Sequence, residues 1–194
     1  MFNLKIIIAS TRPGRKGPAI AQWITDVATA DARFAVTVLD LATINLPFLD
    51  EPEHPRLQKY QHQHTKDWSA AIGGADAFIF VMPEYNHGYV APLKNALDFV
   101  FHEWAHKPVG LVSYGGVAGG TRAVQLLKPV LAGLRMTTAG EVPIPFFAKH
   151  LDPNGVFQPN EELTKSADGM LNALAKWSPV LAQFPRPDFQ RPRT

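Results

Sequence analysis

Cysteine is absent from this 194-residue sequence. Its absence excludes disulfide bonds, thiolate nucleophiles and any zinc or iron–sulfur centre held by cysteine. Oxidation or reduction by this protein would therefore depend on a bound cofactor.

Long hydrophobic runs are also missing. No apolar stretch approaches the roughly 20 residues that cross a bilayer. The chain enters a short apolar segment almost at once, at Leu4–Ala9, without the charged start, longer apolar core and cleavage site of a secretion signal. We expect a cytoplasmic protein that does not interact with membranes.

The chain also lacks a large excess of charge of one sign. It has 19 Lys and Arg residues and 17 Asp and Glu residues, which give a net charge of +2. No basic run is long enough to form a nucleic-acid-binding surface, so nucleic acid is not an expected partner. Hydrophobic residues make up 46% of the chain and charged residues 19%, proportions that are typical of a packed globular protein. At this length a single domain is expected.

Short apolar runs alternate with longer segments of helical period. The predicted strands are Leu4–Ala9, Phe34–Asp40, Ala77–Met82, Val109–Ser113 and approximately Met136–Val142. The predicted helices are Pro18–Ala30, approximately Arg56–Gly73, Pro92–His102, Gly120–Leu134 and Glu161–Gln183. This alternation is typical of an α/β protein with a doubly wound parallel sheet between two helical layers. The domain is predicted to span residues 1–184, followed by a proline-rich tail at 185–194, and Leu41–Pro55 is predicted to be a long functional loop.

The loop after the first predicted strand has the composition of a phosphate site. Residues 10–17 read Ser-Thr-Arg-Pro-Gly-Arg-Lys-Gly and lead directly into a helix. Hydroxyl groups, three cations and the free N–H groups of a helix N-terminus favour a phosphate monoester. The loop lacks the ending of a Walker motif and the Gly-x-Gly-x-x-Gly of dinucleotide folds, which disfavours ATP hydrolysis and a Rossmann-type site. The alternative is a solvated basic turn.

Two later loops have the composition of a site for a flat ring. Residues 82–88 read Met-Pro-Glu-Tyr-Asn-His-Gly, and residues 113–120 read Ser-Tyr-Gly-Gly-Val-Ala-Gly-Gly. Both follow predicted strands, and a doubly wound sheet binds its ligands outside the carboxyl ends of its strands. Glycine lets the backbone approach a ring closely. A phosphate at one end and a planar heterocycle at the other describe FMN.

On these motifs the sequence resembles the NADPH-dependent FMN reductase family, which includes flavodoxin-like quinone, chromate and azo-dye reductases. The matching stretches are Ser10–Arg15, Pro83–Asn86, Leu93–Ala96, Glu103–Trp104, Lys107–Pro108 and Val112–Gly116. The resemblance implies a flavodoxin-like fold, an FMN cofactor and NADPH or NADH as electron donor. It also implies a small acceptor (a quinone, free flavin, azo dye or oxyanion) and a homodimer or homotetramer.

The resemblance also implies roles for individual residues. The FMN phosphate would be held by Ser10, Arg12, Arg15, Lys16 and Gly17, the isoalloxazine ring would be lined by Pro83, Glu84, Tyr85 and Asn86, and its other edge would be supported by Ser113, Gly115 and Gly116. No catalytic side chain is expected, because the hydride chemistry belongs to the flavin.

Two histidine patterns are not predicted to bind a metal. His102-Glu103-x-x-His106 fits the zinc-protease pattern, but it lies where a helix is expected to end before a buried strand. His62 and His64 are two residues apart in a predicted helix, so they are expected to point to nearly opposite sides. No metal site is expected.

The alternative function is a flavodoxin-like electron carrier or a redox-responsive FMN-binding protein. Such a protein would bind FMN but oxidise little NAD(P)H. The net charge of +2 favours the reductase, because single-electron flavodoxins are typically strongly acidic for docking to their partners.

Overall fold

The fold is built on a sheet of five parallel strands. A computed structural model describes residues 1–185 of the chain. The strands are β1 (Phe2–Ile8), β2 (Phe34–Asp40), β3 (Ala77–Pro83), β4 (Pro108–Tyr114) and β5 (Thr137–Ile144). They pair in the order β2-β1-β3-β4-β5, every pair being parallel. This is the strand order of flavodoxin-like folds, so the predicted fold class is confirmed.

Helices cover both faces of the sheet. They are α1 (Gly17–Ala30), α2 (Leu41–Ile44), α3 (Gln63–Gly73), α4 (Ala91–Asp98), α5 (Thr121–Gly133) and α6 (Glu161–Leu181). One core lies between the sheet and α2 to α5 and contains the buried rings of Trp68 and Trp104. The other lies between the sheet and α1 and α6 and contains Ile24 and Leu174. Strand β3 is buried along its whole length, as a central strand covered on both faces should be.

Helix α3 begins later than predicted, at Gln63 rather than near Arg56. The carboxylate of Glu51 accepts hydrogen bonds from the backbone N–H groups of Gln61, at 2.8 Å, and His62, at 3.0 Å. These two groups precede the first helical turn, so a carboxylate from a distant loop fixes where the helix starts. A contact between segments this far apart in the sequence cannot be predicted from the hydrophobic pattern of the helix itself.

Helix α4 ends earlier than predicted, at Asp98 rather than at His102. Phe101 donates its backbone N–H to the buried carboxylate of Glu103, at 3.2 Å, and not to a helical carbonyl. A second difference lies in the segment predicted as a loop, Leu41–Pro55, which opens with the single turn of α2.

The described residues form one domain. The predicted tail at 185–194 lies outside the described residues, except for Pro185. Within residues 1–185, every helix is too short or too polar to cross a membrane.

Candidate functional site

Three loops that the sequence singled out lie at the carboxyl edge of the sheet. We call residues 9–16 the first loop, 84–90 the second loop and 115–120 the third loop; they follow β1, β3 and β4. The chain order reverses between β1 and β3, and ligands of doubly wound sheets bind at such a switch point. The fold therefore gathers these loops where a ligand is expected.

Two buried hydroxyl groups face the amino end of α1. Ser10 and Tyr114 are 0% and 3% exposed, and neither hydroxyl has a hydrogen-bond partner of standard geometry. Both converge on Gly17, where a Cβ atom would overlap Ser10 Oγ and lie 2.9 Å from the Tyr114 hydroxyl. Burial raises the pKa of Tyr114 to about 12, an effect that the nearby Ser10 hydroxyl partly offsets, so the phenol keeps its proton at neutral pH. Two unpartnered hydroxyls and a bare helix N-terminus fit a phosphate.

Tyr114 was not predicted to lie near the first loop, although the alternation of side chains along β4 indicates this position. Successive residues of a strand face opposite sides of the sheet. Val112 and Tyr114 pack in the core on the α1 side, whereas Val109 and Leu111 pack in the other core. Since α1 follows the first loop directly, this parity places the Tyr114 side chain near that loop.

Arg15 is held by Asp40. Its guanidinium donates to both carboxylate oxygens of Asp40, at 2.6 Å each, and to the carbonyl of Ser10, at 2.7 Å. The hydrogen bond to Asp40 raises the pKa of Arg15. Parallel pairing sets Asp40 opposite Ile8, so the end of β2 lies beside the start of the first loop. Arg15 therefore stabilises the loop, and its contact with phosphate stays a prediction.

We expect Asp40→Asn to lower the free energy of unfolding at pH 7 by about 1 kcal/mol, because the ion pair is largely but not fully shielded from water. Asparagine keeps an oxygen for the 3.0 Å hydrogen bond from the Ala42 N–H, so mainly the charge facing Arg15 is lost. Burial acts to raise the pKa of Asp40, but hydrogen bonds from Arg15 and Ala42 hold it below the usual 3.8.

The pH dependence of this effect has a definite sign. A depressed folded-state pKa contributes stability above the unfolded-state pKa and loses it as pH falls through the folded-state value. Urea unfolding of both proteins, at pH 7 and well below pH 3.8, should therefore show their difference shrinking in acid. A difference that stays constant would contradict the assignment to this ion pair.

Arg12 and Lys16 provide exposed positive charge beside the hydroxyl pair. The Arg12 guanidinium lies 5.7 Å from the centre of the Tyr85 ring, which brings the first loop against the second. Lys16 stands immediately before α1. Among residues 1–185, neither cation is in an ion pair, so both are available to an anionic ligand.

The second loop contains a tight turn. Tyr85 and Gly88 exchange backbone hydrogen bonds of 3.0 and 2.9 Å, and the two residues between them, Asn86 and His87, have φ angles of 48° and 68°. Positive φ at both central positions defines a type I′ turn. This conformation is costly for a histidine, and such strain occurs where the surroundings enforce a particular backbone, often at functional sites.

Glu84 ties the second loop to α5. Its carboxylate accepts hydrogen bonds from the side chain of Arg122, at 2.8 Å, and from the backbone N–H of the same residue, at 3.2 Å. Its own N–H donates to the carbonyl of Tyr114, at 3.0 Å. Pro83, just before it, is buried. Glu84 thus positions the second loop.

The third loop is braced on one side and open on the other. Ser113 Oγ donates to the carbonyl of Gly119, at 2.8 Å. The carbonyl of Gly116 accepts from the N–H of Phe146, at 2.9 Å, so the segment after β5 supports the loop. No atom lies within 4 Å of where a Cβ of Gly116 would stand, whereas a Cβ on Gly115 would lie 3.3 Å from the backbone nitrogen of Gly120 and 3.5 Å from the Cβ of Glu84. Gly116 therefore leaves its backbone accessible.

The zinc-protease pattern does not adopt the helical form that such a site requires. His102–Trp104 is a single 3-10 turn, and His106 has a left-handed φ of 58°. The buried carboxylate of Glu103 accepts hydrogen bonds from the hydroxyls of Tyr60, at 2.9 Å, and Ser69, at 2.7 Å. Glu103 therefore holds three segments of the chain together.

The expectation that His62 and His64 point to opposite sides is wrong. Their rings stack at 5.2 Å with 7° between the planes. The reason is that α3 begins at Gln63, so His62 has an extended backbone and does not follow the helical period. His64 Nε2 lies 2.9 Å from a carboxylate oxygen of Asp50. Across residues 1–185, no three His, Asp or Glu side chains are grouped so as to hold a metal ion.

Comparison with known proteins identifies the family of this chain. Residues 2–149 match the NADPH-dependent FMN reductase family. An NAD(P)H-dependent FMN reductase of Schizosaccharomyces pombe is 38% identical over 185 residues, which cover 94% of this chain and 92% of that protein. An NADPH azoreductase of a Bacillus species is 29% identical over 135 residues, 68% of this chain and 70% of that protein.

A solved structure supports the fold. The flavoenzyme NAD(P)H:(acceptor) oxidoreductase FerB from Paracoccus denitrificans superposes with a TM-score of 0.74 at 21% identity, over 93% of this chain and 98% of that one. With a family match over most of its length, the chain belongs to the NADPH-dependent FMN reductases and is an oxidoreductase that uses FMN as cofactor and NAD(P)H as electron donor.

Proposed function

We propose that this protein holds FMN across the carboxyl edge of the sheet, with the phosphate at the amino end of α1 and the ring between the second and third loops. The observation that carries the proposal is the pair of buried, unpartnered hydroxyls, Ser10 and Tyr114, beside the bare backbone of Gly17. Buried hydroxyls without partners are costly, and an anionic ligand would supply the missing acceptors.

At the phosphate end, each residue has a distinct task. The hydroxyls of Ser10 and Tyr114 donate hydrogen bonds to phosphate oxygens, and the side chains of Arg12 and Lys16 balance the negative charge. Because Gly17 has no side chain, the Ser10 and Tyr114 hydroxyls can lie against the amino end of α1. Arg15 acts through its ion pair with Asp40, which fixes the shape of the first loop.

At the ring end, the backbone does most of the binding. Pro83, Tyr85 and Asn86 line one side of the ring, and Gly115 and Gly116 let the third loop approach the other. FMN bound here would supply the hydride chemistry that carries electrons from NAD(P)H to an acceptor. No side chain is needed as a base, so this chain's contribution is to bind, orient and partly shield the flavin.

The acceptor is proposed to be a small molecule: a quinone, a free flavin, an azo dye or an oxyanion. The protein is predicted to be cytoplasmic and to form a homodimer or a homotetramer. Light scattering on the purified protein measures its oligomeric state.

Uptake of FMN by the purified protein tests the proposal. After incubation with excess FMN and removal of unbound flavin, we expect the yellow absorption of oxidised flavin at one FMN per chain, and weaker uptake of riboflavin, which has no phosphate. A protein that stays colourless would refute the proposal. Equal affinity for the two flavins would refute the phosphate site.

A further inference from the structure

The segment after β5 lies directly against the third loop. We call residues 145–150 the fourth loop; it follows β5, which pairs with β4, so both loops leave the same edge of the sheet. Phe146 donates its N–H to the carbonyl of Gly116, at 2.9 Å, and Phe147 donates its own to the carbonyl of Gly115, at 3.4 Å. These two glycines are proposed to approach the flavin ring, so the fourth loop is bonded directly to the residues of that site.

Phe146 is held in an unusual conformation with its ring partly in solvent. Its φ angle of 48° is left-handed, which is rare for a bulky aromatic residue. The next residue, Phe147, anchors the turn, because its ring packs edge-on against the buried ring of Tyr114, with the centres 5.3 Å apart. Phe146 itself stays 48% exposed. Such strain occurs often at functional sites, and an exposed ring can pack on a planar ligand.

Lys149 brings a positive charge to this ring. Its Nζ lies 4.9 Å from the centre of the Phe146 ring, and its backbone N–H donates to the Phe146 carbonyl at 2.8 Å. Lys149 is exposed, and it pairs with no Asp or Glu carboxylate of residues 1–185. The ammonium is therefore available to an anion, and its contact with the ring limits where it lies.

The position of this charge suits the phosphates of the electron donor. The cations of the first loop already serve the FMN phosphate and the ion pair with Asp40. In the second, third and fourth loops together, Lys149 is the only Lys or Arg. Hydride transfer requires the nicotinamide of NAD(P)H to lie within about 3–3.5 Å of the flavin. The adenosine half, which has a planar base and phosphates, therefore extends past the edge of the ring.

Resting on the proposed function, we propose that Phe146 and Lys149 form the subsite for the adenosine half of NAD(P)H. The dinucleotide crosses the third loop at Gly116, where no atom lies within 4 Å of the Cβ position. Phe146 packs against the adenine, and the Lys149 ammonium pairs with a phosphate of the dinucleotide. The diphosphate bridge and the 2′-phosphate of NADPH offer the same chemistry to Lys149, and the test distinguishes them.

Two fragments without a nicotinamide test the subsite on FMN-loaded protein: ADP, which carries the diphosphate, and 2′,5′-ADP, which carries the 2′-phosphate. Calorimetric titration should show that Lys149→Ala weakens binding about fivefold, the scale of one exposed charge pair. Added salt should weaken binding to the wild type more than to Lys149→Ala, because salt screens the pair. Lys149→Arg keeps the charge and should retain the wild-type affinity. A loss confined to 2′,5′-ADP assigns Lys149 to the 2′-phosphate, and a loss that includes ADP assigns it to the diphosphate.

Phe146→Ala removes the ring and should weaken both fragments about fivefold, the scale of one aromatic contact, whereas Phe146→Tyr should bind them as the wild type does. In steady-state kinetics with 1,4-naphthoquinone as acceptor, Phe146→Ala and Lys149→Ala should raise the KM for NADPH by similar factors, with the KM for the quinone changed less than about twofold. Lys176→Ala, which removes an exposed positive charge from the last turns of α6, is the control and should leave all values unchanged.

The outcomes separate the two proposals. If FMN binds and NADPH is oxidised, but neither fragment binds the wild type more tightly than it binds Lys149→Ala and Phe146→Ala, the subsite is refuted and the proposed function stands. A parallel loss of FMN in Phe146→Ala would also refute the subsite, because the ring would then belong to the flavin site. If the wild type does not bind FMN at all, the proposed function itself has failed.

Discussion

Gly17→Ala is expected to weaken FMN binding by about a hundredfold, because the new methyl group would displace the two hydroxyls that are proposed to hold the phosphate. Its Cβ would overlap Ser10 Oγ, lie 2.9 Å from the Tyr114 hydroxyl and lie 3.3 Å from a methyl of Ile8. These buried side chains must move to admit it, and overpacking of this kind costs about 1–3 kcal/mol of stability. Fluorescence titration of FMN and thermal unfolding measure the two effects.

The matched control for this variant is Gly169→Ala. Gly169 lies within α6, and nothing stands within 4 Å of its Cβ position. Alanine there should stabilise the helix by about 0.5–1 kcal/mol and leave FMN affinity unchanged. If Gly17→Ala folds and binds FMN as tightly as the wild type, the hydroxyls that pack on Gly17 are not part of the flavin site.

The second large effect is expected from Arg12→Ala, which should weaken FMN by about 1.5–3 kcal/mol, the range for a hydrogen bond to a charged group. Riboflavin affinity should change less than about twofold, because riboflavin offers no anion for the guanidinium. The exposed position of Arg12 at the Tyr85 ring means that little else is lost with it. Calorimetric titration with each flavin gives the two affinities.

Lys165→Ala controls for net charge. It removes the same single positive charge, but from an exposed i,i+4 pair with Glu161 on α6. FMN affinity should remain at the wild-type value, because an exposed charge distant from the first loop is screened by salt. Equal losses for FMN and riboflavin in Arg12→Ala would instead place Arg12 at the ring and not at the phosphate.

The central elements of the fold could be predicted from sequence because their signals are local. Strand β3 is buried on both faces and reads as an uninterrupted apolar run, and α1 begins at Gly17-Pro18, a pair that favours a helix start. The same holds for the three loops of the site, whose glycines, hydroxyls and cations follow the strands directly. The alternation of strands and helices was then enough to predict a parallel sheet between two helical layers.

The parts that could not be predicted depend on contacts between distant segments. The start of α3 is set by Glu51 and the end of α4 by Glu103, both carboxylates that accept backbone N–H groups from outside the regular helix. The family resemblance implied that Arg15 binds the phosphate. Its pairing with Asp40 follows only once β1 and β2 are known to be neighbours in register.

Anaerobic titration of FMN-loaded protein with NADPH and NADH tests the central claim most directly. We expect one equivalent of the preferred nucleotide to bleach the visible flavin absorption, and an added quinone to restore it after the nicotinamide has been removed. Full occupancy with FMN, combined with a visible spectrum that neither nucleotide changes, would contradict the claim and indicate an electron carrier instead of a reductase.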